Sequence, residues 1–312
     1  MTDLRIAVLL PCYNEEAAIA QTVAGFRAAL PGATIYVYDN NSSDGTMDVA
    51  RAAGAIVRSE KMQGKGNVVR RMFADVDADI YVMADGDATY DAEAAPLLVQ
   101  RLLDEQLDMV VGSRVTQAEA AYRRGHVMGN KLLTGMLARL FGRSFSDILS
   151  GYRVFSRRFV KSFPVLTGGF EIETEISVHA LELKMPVGEV ETRYFERPEG
   201  SVSKLSTYSD GFRIVQTIVT LYRIERPLLF FGSIGALLAF AAIVLSVPLV
   251  ITYLHTHTVP RFPTAILATG LIILSALCFF SGLILDTVVR GRREVRRLAY
   301  LGHPAPGPTL TR

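Results

Sequence analysis

The sequence predicts an α/β fold, a mostly parallel sheet with flanking helices, followed by an interfacial helix and two transmembrane helices. Three observations carry that prediction. Short apolar runs alternate with helical patterns through the first third of the chain, polar clusters fall at the ends of those runs, and two long uncharged stretches come late.

The alternation begins at once. "RIAVLLP" precedes a helical pattern over 15–30, "TIYVYDN" one over 44–53, "AIVRS" one over 64–76 and "DIYVMAD" one over 92–106, and "DMVVGS" closes the series. This is the rhythm of βαβ units. Runs that are apolar throughout read as strands buried on both faces of a parallel sheet, whose ligands gather at the carboxyl ends of the strands. The clusters "CYNEE", "DNNSSDGT", "DGDATYD" and "GSR" stand at those ends. The segment 125–222 is less regular, with a helix expected near 126–141, a turn at Ser150-Gly151 and a helix near 172–183.

Residues 228–254 and 262–285 carry no charge. Each is long enough to cross a hydrocarbon core of about 30 Å as a helix. Two buried core helices would need protein around them, and too little chain follows Leu285 to supply it. Arg223 and Arg226 precede the first stretch, and Arg290, Arg292, Arg293, Arg296 and Arg297 follow the second, against Arg261 alone between them. That asymmetry places both termini in the cytoplasm. The apolar run of "RIAVLLPCYNEE" is too short for a signal peptide. A multi-pass protein of the plasma (inner) membrane is expected, with a cytosolic domain over 1–205, an amphipathic interfacial helix over 206–226, a membrane pair over 227–289 with a short external loop, and a basic cytosolic tail over 290–312. Ile214, Ile218, Leu221 and Tyr222 recur at helical spacing; an ordinary core helix would show the same pattern, but the lead into a span favours the interface. Cys12 and Cys278 suit a reducing compartment and exclude a metal site built on cysteine clusters. A net charge of +2 gives no sign of a nucleic-acid partner.

A lone D-x-D on a solvated loop is common by chance, but four polar clusters at four strand ends are not. Asp85 and Asp87, separated by Gly86, suit Mg2+ or Mn2+, which take oxygen ligands and are completed by phosphates and water. "CYNEE" and "YDN" offer acceptors to a nucleobase and a ribose, and Lys65 in "GKGN" and Arg114 in "GSR" can neutralise phosphate oxygens. "GKG" lacks the spaced Gly and the Ser/Thr of a Walker loop, and no G-x-G-x-x-G follows a strand, so kinase, ATPase and dehydrogenase readings fall away. The five His are scattered, with no Ser-His-Asp or Cys-His set. "RYFERPEGSVSKLSTYSDGFR" gathers Arg193, Arg197, Lys204 and Arg213 among flexible Gly and Ser.

Taken in order, "PCYNEE", "DNNSSDGT", "DGD", "GSR", "SGYRVFSRR" and "RPEGSVSK" ahead of two spans resemble the inverting family-two glycosyltransferases of GT-A fold, and within them the polyprenyl-phosphate sugar synthases, from Ile6 to about Val289. The resemblance implies that Pro11, Tyr13, Glu15 and Asp39 cradle the nucleoside, that Asp85 and Asp87 hold metal and diphosphate, and that Lys65 and Arg114 lie near the donor. It places Arg123, Arg124 and Asn130 at the lipid phosphate, without separating the two arginines, and Arg197, Ser203 and Lys204 on a loop closing over the phosphates. Asp87, Arg114, Arg197 and Lys204 are the residues it marks as catalytic, and Ser203 joins the lipid-phosphate group. Asn40 stands where the family usually has a second aspartate, and Ala88-Thr89-Tyr90 replaces the common Leu-Gln. Arg153 and Glu175 read equally as site residues or as structural ion-pair partners. The implied reaction is metal-dependent, inverting transfer of a sugar from a UDP- or GDP-linked donor to an undecaprenyl- or dolichyl-type phosphate at the cytosolic membrane face. The alternative is a catalytically silent binding subunit, against which Asp85, Asp87, Arg197 and Lys204 are all intact. A processive synthase would carry Q-x-x-R-W, and the chain has no Trp. Sugar, nucleotide and lipid length are not fixed by these motifs, and a homo-oligomer is left open.

Overall fold

A computed structural model describes residues 4–115, 134–135, 138–139, 145–165, 169, 171–198, 216 and 219–307. The chain forms two compact units, Met1–Ile214 with Arg296–Arg312, and Val215–Val295.

The first unit is built on a seven-stranded sheet. Its strands are β1 (Ile6–Cys12), β2 (Thr34–Asp39), β3 (Ile56–Ser59), β4 (Ile80–Met83), β5 (Met109–Val115), β6 (Arg153–Ser156) and β7 (Val187–Arg193). Across the sheet the order is β3-β2-β1-β4-β6-β5-β7. β1 pairs in parallel with both β2 and β4, in the registers Val8 to Ile35 and Val8 to Val82. β6 is reversed, antiparallel to β4 and β5. The chain thus leaves β1 in one direction through β2 and β3 and returns to its other side at β4. That reversal opens a crevice beyond the carboxyl ends of β1 and β4.

Helices α1 (Ile19–Ala29), α2 (Thr46–Ala52), α3 (Lys65–Asp75) and α4 (Ala95–Asp104) make the crossovers, and α5 (Arg157–Ser162) and α6 (Ile172–Glu182) follow β6. Their starts are chemically marked. Asp91 accepts from Glu93 N ahead of α4, which opens on Pro96, and Ser156 caps α5 by accepting from Phe159 N. α1 buries Ile19, Val23 and Phe26 on one stripe against the sheet. Val8, Leu9, Leu10, Val37, Tyr81, Val82 and Val110 are wholly buried, so the central strands are covered on both faces and show no alternation.

The four crossover helices and the first five strands match their sequence expectation, and so does the helix near 172–183. β6 and β7 were not anticipated. β6 is four residues long behind a turn, and β7, "VGEVETR", carries two glutamates and an arginine on a half-exposed strand. Most of the helix expected near 126–141 and of the interfacial segment 206–226 lies outside the described residues, although 134–135, 138–139, 216 and 219–225 are helical.

In the second unit, α7 (Pro227–Thr256) and most of α8 (Phe262–Leu301) are long and apolar enough to cross a membrane. Small residues set their contact. A side chain at Gly235 would meet Ser275 O at 3.0 Å, one at Gly282 would meet Leu228 Cα at 3.2 Å, and Ser275 Oγ donates to Gly235 O at 2.8 Å. Close backbone approach is how apolar helices associate where no hydrophobic force separates them from lipid. Pro248 sits within α7, and Thr252 Oγ1 donates to its carbonyl at 2.8 Å. α8 continues through the basic residues 290–301, and its last turns, from Arg296, belong to the first unit.

Candidate active site

The site is assembled from the loops that leave β1, β2 and β4. The first two are stitched together. Asn14, at φ 53°, donates from its N–H to Ser42 Oγ at 2.8 Å and accepts from Ser43 N at 2.8 Å, while Glu15 N donates to Thr46 Oγ1 at 2.9 Å. Asp39 ends β2, 1 % exposed. Its Oδ2 accepts from Ser42 N at 3.0 Å, whereas its Oδ1 is buried with no hydrogen-bond partner. A buried carboxyl oxygen so placed is costly unless a donor arrives.

Asn40 explains its own departure from the family pattern. Its amide donates to Glu60 O at 3.0 Å and Met62 O at 2.8 Å, and its Oδ1 accepts from Gly64 N at 2.7 Å. An aspartate could make only the last of these. Gly64, at φ +127°, turns the clamped loop into α3 and delivers Lys65 as its first residue.

Lys65 reaches across to the β4 loop. Its Nζ lies 2.5 Å from Asp85 Oδ1 and 2.5 Å from Glu173 Oε1 on α6. Burial opposes charge on this lysine, but the two carboxylates outweigh it and hold the ammonium well above its ordinary range. Asp87 accepts from Thr89 Oγ1 at 2.6 Å on one oxygen and meets Arg197 at 2.6 Å on the other. Burial, and then the charge of Asp85, push the Asp87 carboxyl up despite Arg197. Between the two carboxylates Gly86 lies directly against Cys12, where an added Cβ would sit 2.3 Å from Sγ. Ala88 follows in the left-handed region at φ 57°. The turn is therefore strained and tightly seated.

The same loop is tied to β7 and its exit. Tyr90 bridges to Tyr194, and Phe195 N donates to Thr89 O at 2.8 Å, which brings Arg197 to the acidic pair and within 3.6 Å of Glu15. Opposite, Gly151 N donates to Tyr90 Oη at 2.8 Å, and a Cβ on Gly151 would stand 3.0 Å from Asp85 Oδ2. Arg153 supports this wall while wholly buried. Its guanidinium donates to Ser150 O, Ile148 O and Ser177 Oγ, and burial lowers its pKa to about 10. These hydrogen-bond partners are neutral, and among the described residues Arg153 makes no ion pair with Glu175.

Glu15, Asp39, Lys65, Asp85, Asp87 and Arg197 thus converge on the crevice, with Pro11 buried at the end of β1 and Tyr13 exposed beyond it. Arg114 is held differently. Its Nε and a terminal nitrogen make a bidentate pair with Asp147 at 2.6 and 2.8 Å, and its guanidinium lies over Tyr194 at 5.4 Å. Burial would raise the Asp147 carboxyl, but the hydrogen bonds and charge of Arg114 bring it below its usual range. Arg123, Arg124, Asn130, Ser203 and Lys204 lie outside the described residues. Glu173 and Asp147 were missed in the sequence, being set by contacts far along the chain, whereas Thr89 and Tyr90 showed only as part of a departure from the family pattern, as Asn40 did.

Asp85 and Asp87 suit a divalent cation such as Mg2+ or Mn2+. They supply only oxygen donors, and burial together with the charge of Asp85 pushes the Asp87 carboxyl up. Among the described residues no group of three or more His, Cys, Asp or Glu is placed to hold a metal ion.

Residues 7–163 match the family described as glycosyl transferase family 2. The chain is 35 % identical over 232 residues to glycosyltransferase AglJ of Haloferax volcanii, covering 74 % of this chain and 76 % of that one. It is 28 % identical over 221 residues to a dolichyl-phosphate hexose transferase of the same organism, covering 71 % and 95 %. Among solved structures, glucosyl-3-phosphoglycerate synthase from Mycobacterium tuberculosis, in complex with Mn2+, uridine diphosphate and phosphoglyceric acid, superposes with a TM-score of 0.56 at 25 % identity, over 70 % of this chain and 78 % of that one. Sheet order, strand-end carboxylates and sequence agree, and the chain belongs to glycosyl transferase family 2 and has the GT-A fold.

Proposed function

We propose that the chain transfers a sugar from a UDP- or GDP-linked donor to the phosphate of a polyprenyl phosphate, with inversion at the anomeric carbon and with a divalent cation. The observation that carries the reading is the placement of Asp85 and Asp87 at the switch point beside Asp39, whose Oδ1 is buried without a partner. That oxygen is poised to accept from a nucleobase N–H. Glu15 and Tyr13 lie on the loop beside it, where the ribose would rest.

Asp85 and Asp87 would hold Mg2+ or Mn2+, which supplies charge to the departing diphosphate. The rest is the work of the chain. A phosphate monoester has a second pKa of about 6, so the acceptor oxygen is ionised near neutral pH and attacks without a general base. Its bond to the anomeric carbon forms on the face opposite the donor oxygen as the old bond breaks, and the nucleoside diphosphate leaves. Arg197, beside Asp87, is placed to meet charge growing on that leaving group. Arg123, Arg124, Asn130 and Ser203 take the acceptor phosphate in this reading, and Lys204 closes the loop over both. The crevice contains no described Ser-His-Asp or Cys-His set, which fits an acceptor that needs no activation. Likeness to a dolichyl-phosphate hexose transferase supports the acceptor, and likeness to a protein seen with Mn2+ and uridine diphosphate supports metal and donor. Two long apolar helices support a membrane acceptor, and the arginine surplus at their outer flanks supports the cytosolic face.

The test is to incubate the detergent-purified full chain with polyprenyl phosphate, Mn2+ and a panel of nucleotide sugars. One donor should give a lipid-linked sugar phosphate of inverted configuration. Turnover only with a soluble acceptor would overturn the assignment.

A further inference from the structure

We infer that Glu173 is a positioning residue: by sharing the Lys65 ammonium with Asp85, it keeps Asp85 available to a divalent cation. This rests on the reading of Asp85 as a metal carboxylate and adds to it a residue from a distant helix. Lys65 Nζ is equidistant from Asp85 Oδ1 and Glu173 Oε1, at 2.5 Å from each. Glu173 is 5 % exposed and meets the lysine from the protein interior.

The position of Glu173 is itself specified. Ser177 Oγ donates to the Glu173 carbonyl at 2.9 Å and accepts from the buried Arg153, while Gly66 N, next to Lys65, donates to Gly169 O at 3.2 Å just ahead of α6. The segment ahead of α6 is thereby clipped to the start of α3 beside the Lys65–Glu173 pair, and α6 itself is tied to Arg153 on β6.

The consequence for a cation follows from charge. With Glu173 ionised, Asp85, Lys65 and Glu173 sum to one negative charge, and the ammonium is drawn partly away from Asp85. Without it the ammonium belongs to Asp85 alone. The pair is then neutral, and an arriving Mn2+ meets a carboxylate already satisfied by a buried cation. Glu173 touches neither donor nor acceptor; it acts through Lys65.

The experiment measures Mn2+ alone, by water-proton relaxation, on the full chain in detergent, and then the Mn2+ dependence of transfer. Glu173→Gln should weaken Mn2+ binding about tenfold, about 1.4 kcal/mol. Glu173→Asp keeps the charge but withdraws it by one methylene, and should weaken binding about threefold, with an intact fold expected for so small a change. In both variants kcat at saturating Mn2+ should return close to the parent value while the Mn2+ concentration for half-maximal rate rises. A merely structural role would lower kcat at every metal concentration, and a simple long-range field would leave Glu173→Asp like the parent. Either result overturns the inference. If the parent itself binds no Mn2+, the metal reading of Asp85 and Asp87 fails first, and the two failures are told apart.

Discussion

The two ends of the sheet both bury carboxylates, and they treat them in opposite ways. At the amino end Asp108 is wholly buried and fully answered. It accepts from Ser156 Oγ at 2.7 Å, from Arg158 through two nitrogens, and from Tyr300 Oη at 2.8 Å, with Arg158 also lying over the Tyr300 ring at 4.7 Å. Asp79 nearby meets Arg5 N at 2.9 Å, and Asp77 meets Arg157 at 2.9 Å. At the carboxyl end Asp39 keeps an unpartnered oxygen, the Asp87 carboxyl is pushed up by burial and then by Asp85, and one lysine is divided between two carboxylates. Satisfied burial holds the fold together at one end, and at the other the unsatisfied Asp39 oxygen stands at the strand ends where a ligand can meet it. Matched substitutions at the two ends should therefore fail in different ways.

The largest expected effect is at the carboxyl end. Asp87→Asn keeps the side-chain volume and the Thr89 contact but removes half of the acidic pair, so transfer should fall about a thousandfold or more while the thermal midpoint moves little. Relieving a crowded, desolvated charge offsets the lost Arg197 pair. Thorough chelation of the parent should mimic the substitution. Transfer that persists in Asp87→Asn, measured with excess Mn2+, would show that the pair does not hold the cation.

Asp108→Asn at the amino end should do the reverse. It leaves a half-buried Arg158 against a neutral partner, a change that costs about 3 kcal/mol. The thermal midpoint of the full chain should drop by several degrees, and kcat of the folded fraction should stay at the parent value. A loss of kcat at full occupancy of the folded state would mean that the two ends are coupled.

This contrast also marks how far the sequence could be read. β1, β2, β4 and β5 were legible because strands buried on both faces leave uninterrupted apolar runs, and the crevice was legible because polar clusters gather at the carboxyl ends of these four. β6 and β7 were illegible because each borrows its burial from partners distant in the chain, Arg153 with Met83 and Val111, and Val187 with Met109. The site divides in the same way. Asp39, Lys65, Asp85 and Asp87 follow their strands and were nameable, whereas Glu173 meets Lys65 across 108 residues and Asp147 meets Arg114 across 33. Local pattern fixes which loop a residue occupies; it does not say which other loop will answer its charge.

A smaller effect sharpens the carboxyl end itself. Gly86 is required by contact, since an added Cβ would sit 2.3 Å from Cys12 Sγ and only 3.4 Å from the next nearest atom, Ile19 Cδ1. Gly86→Ala should cost about 2 kcal/mol and weaken transfer as the turn lifts away from β1. Cys12→Ala removes the clashing sulfur, so the double variant Cys12→Ala/Gly86→Ala should recover most of both losses. Additive losses in that double-mutant cycle would show that something other than this contact selects glycine.

The smallest effect at neutral pH is one that grows with acid. His179 on α6 is buried between Phe159 and Phe163, with ring centroids at 5.4 and 5.1 Å. Ser162 Oγ gives its hydrogen to Phe159 O, so at 3.2 Å from Nε2 it accepts, the ring proton sits on Nε2, and Nδ1 is buried without a partner. Burial first, and the nearby charge of Arg296 second, lower the imidazole pKa to about 3. Above about pH 6.5 the ring is neutral both folded and unfolded and contributes nothing to the pH dependence. Below it the unfolded chain takes up a proton that the folded chain refuses, so stability falls by about 1.4 kcal/mol for each pH unit until the folded pKa is reached. His179→Leu should flatten the loss of stability between pH 6.5 and 4 by about that slope, with the parent and variant curves parallel above pH 7. Denaturation of the full chain at half-unit pH steps reads the difference directly, and parallel curves down to pH 4 would mean that the ring titrates in the folded protein as it does in water.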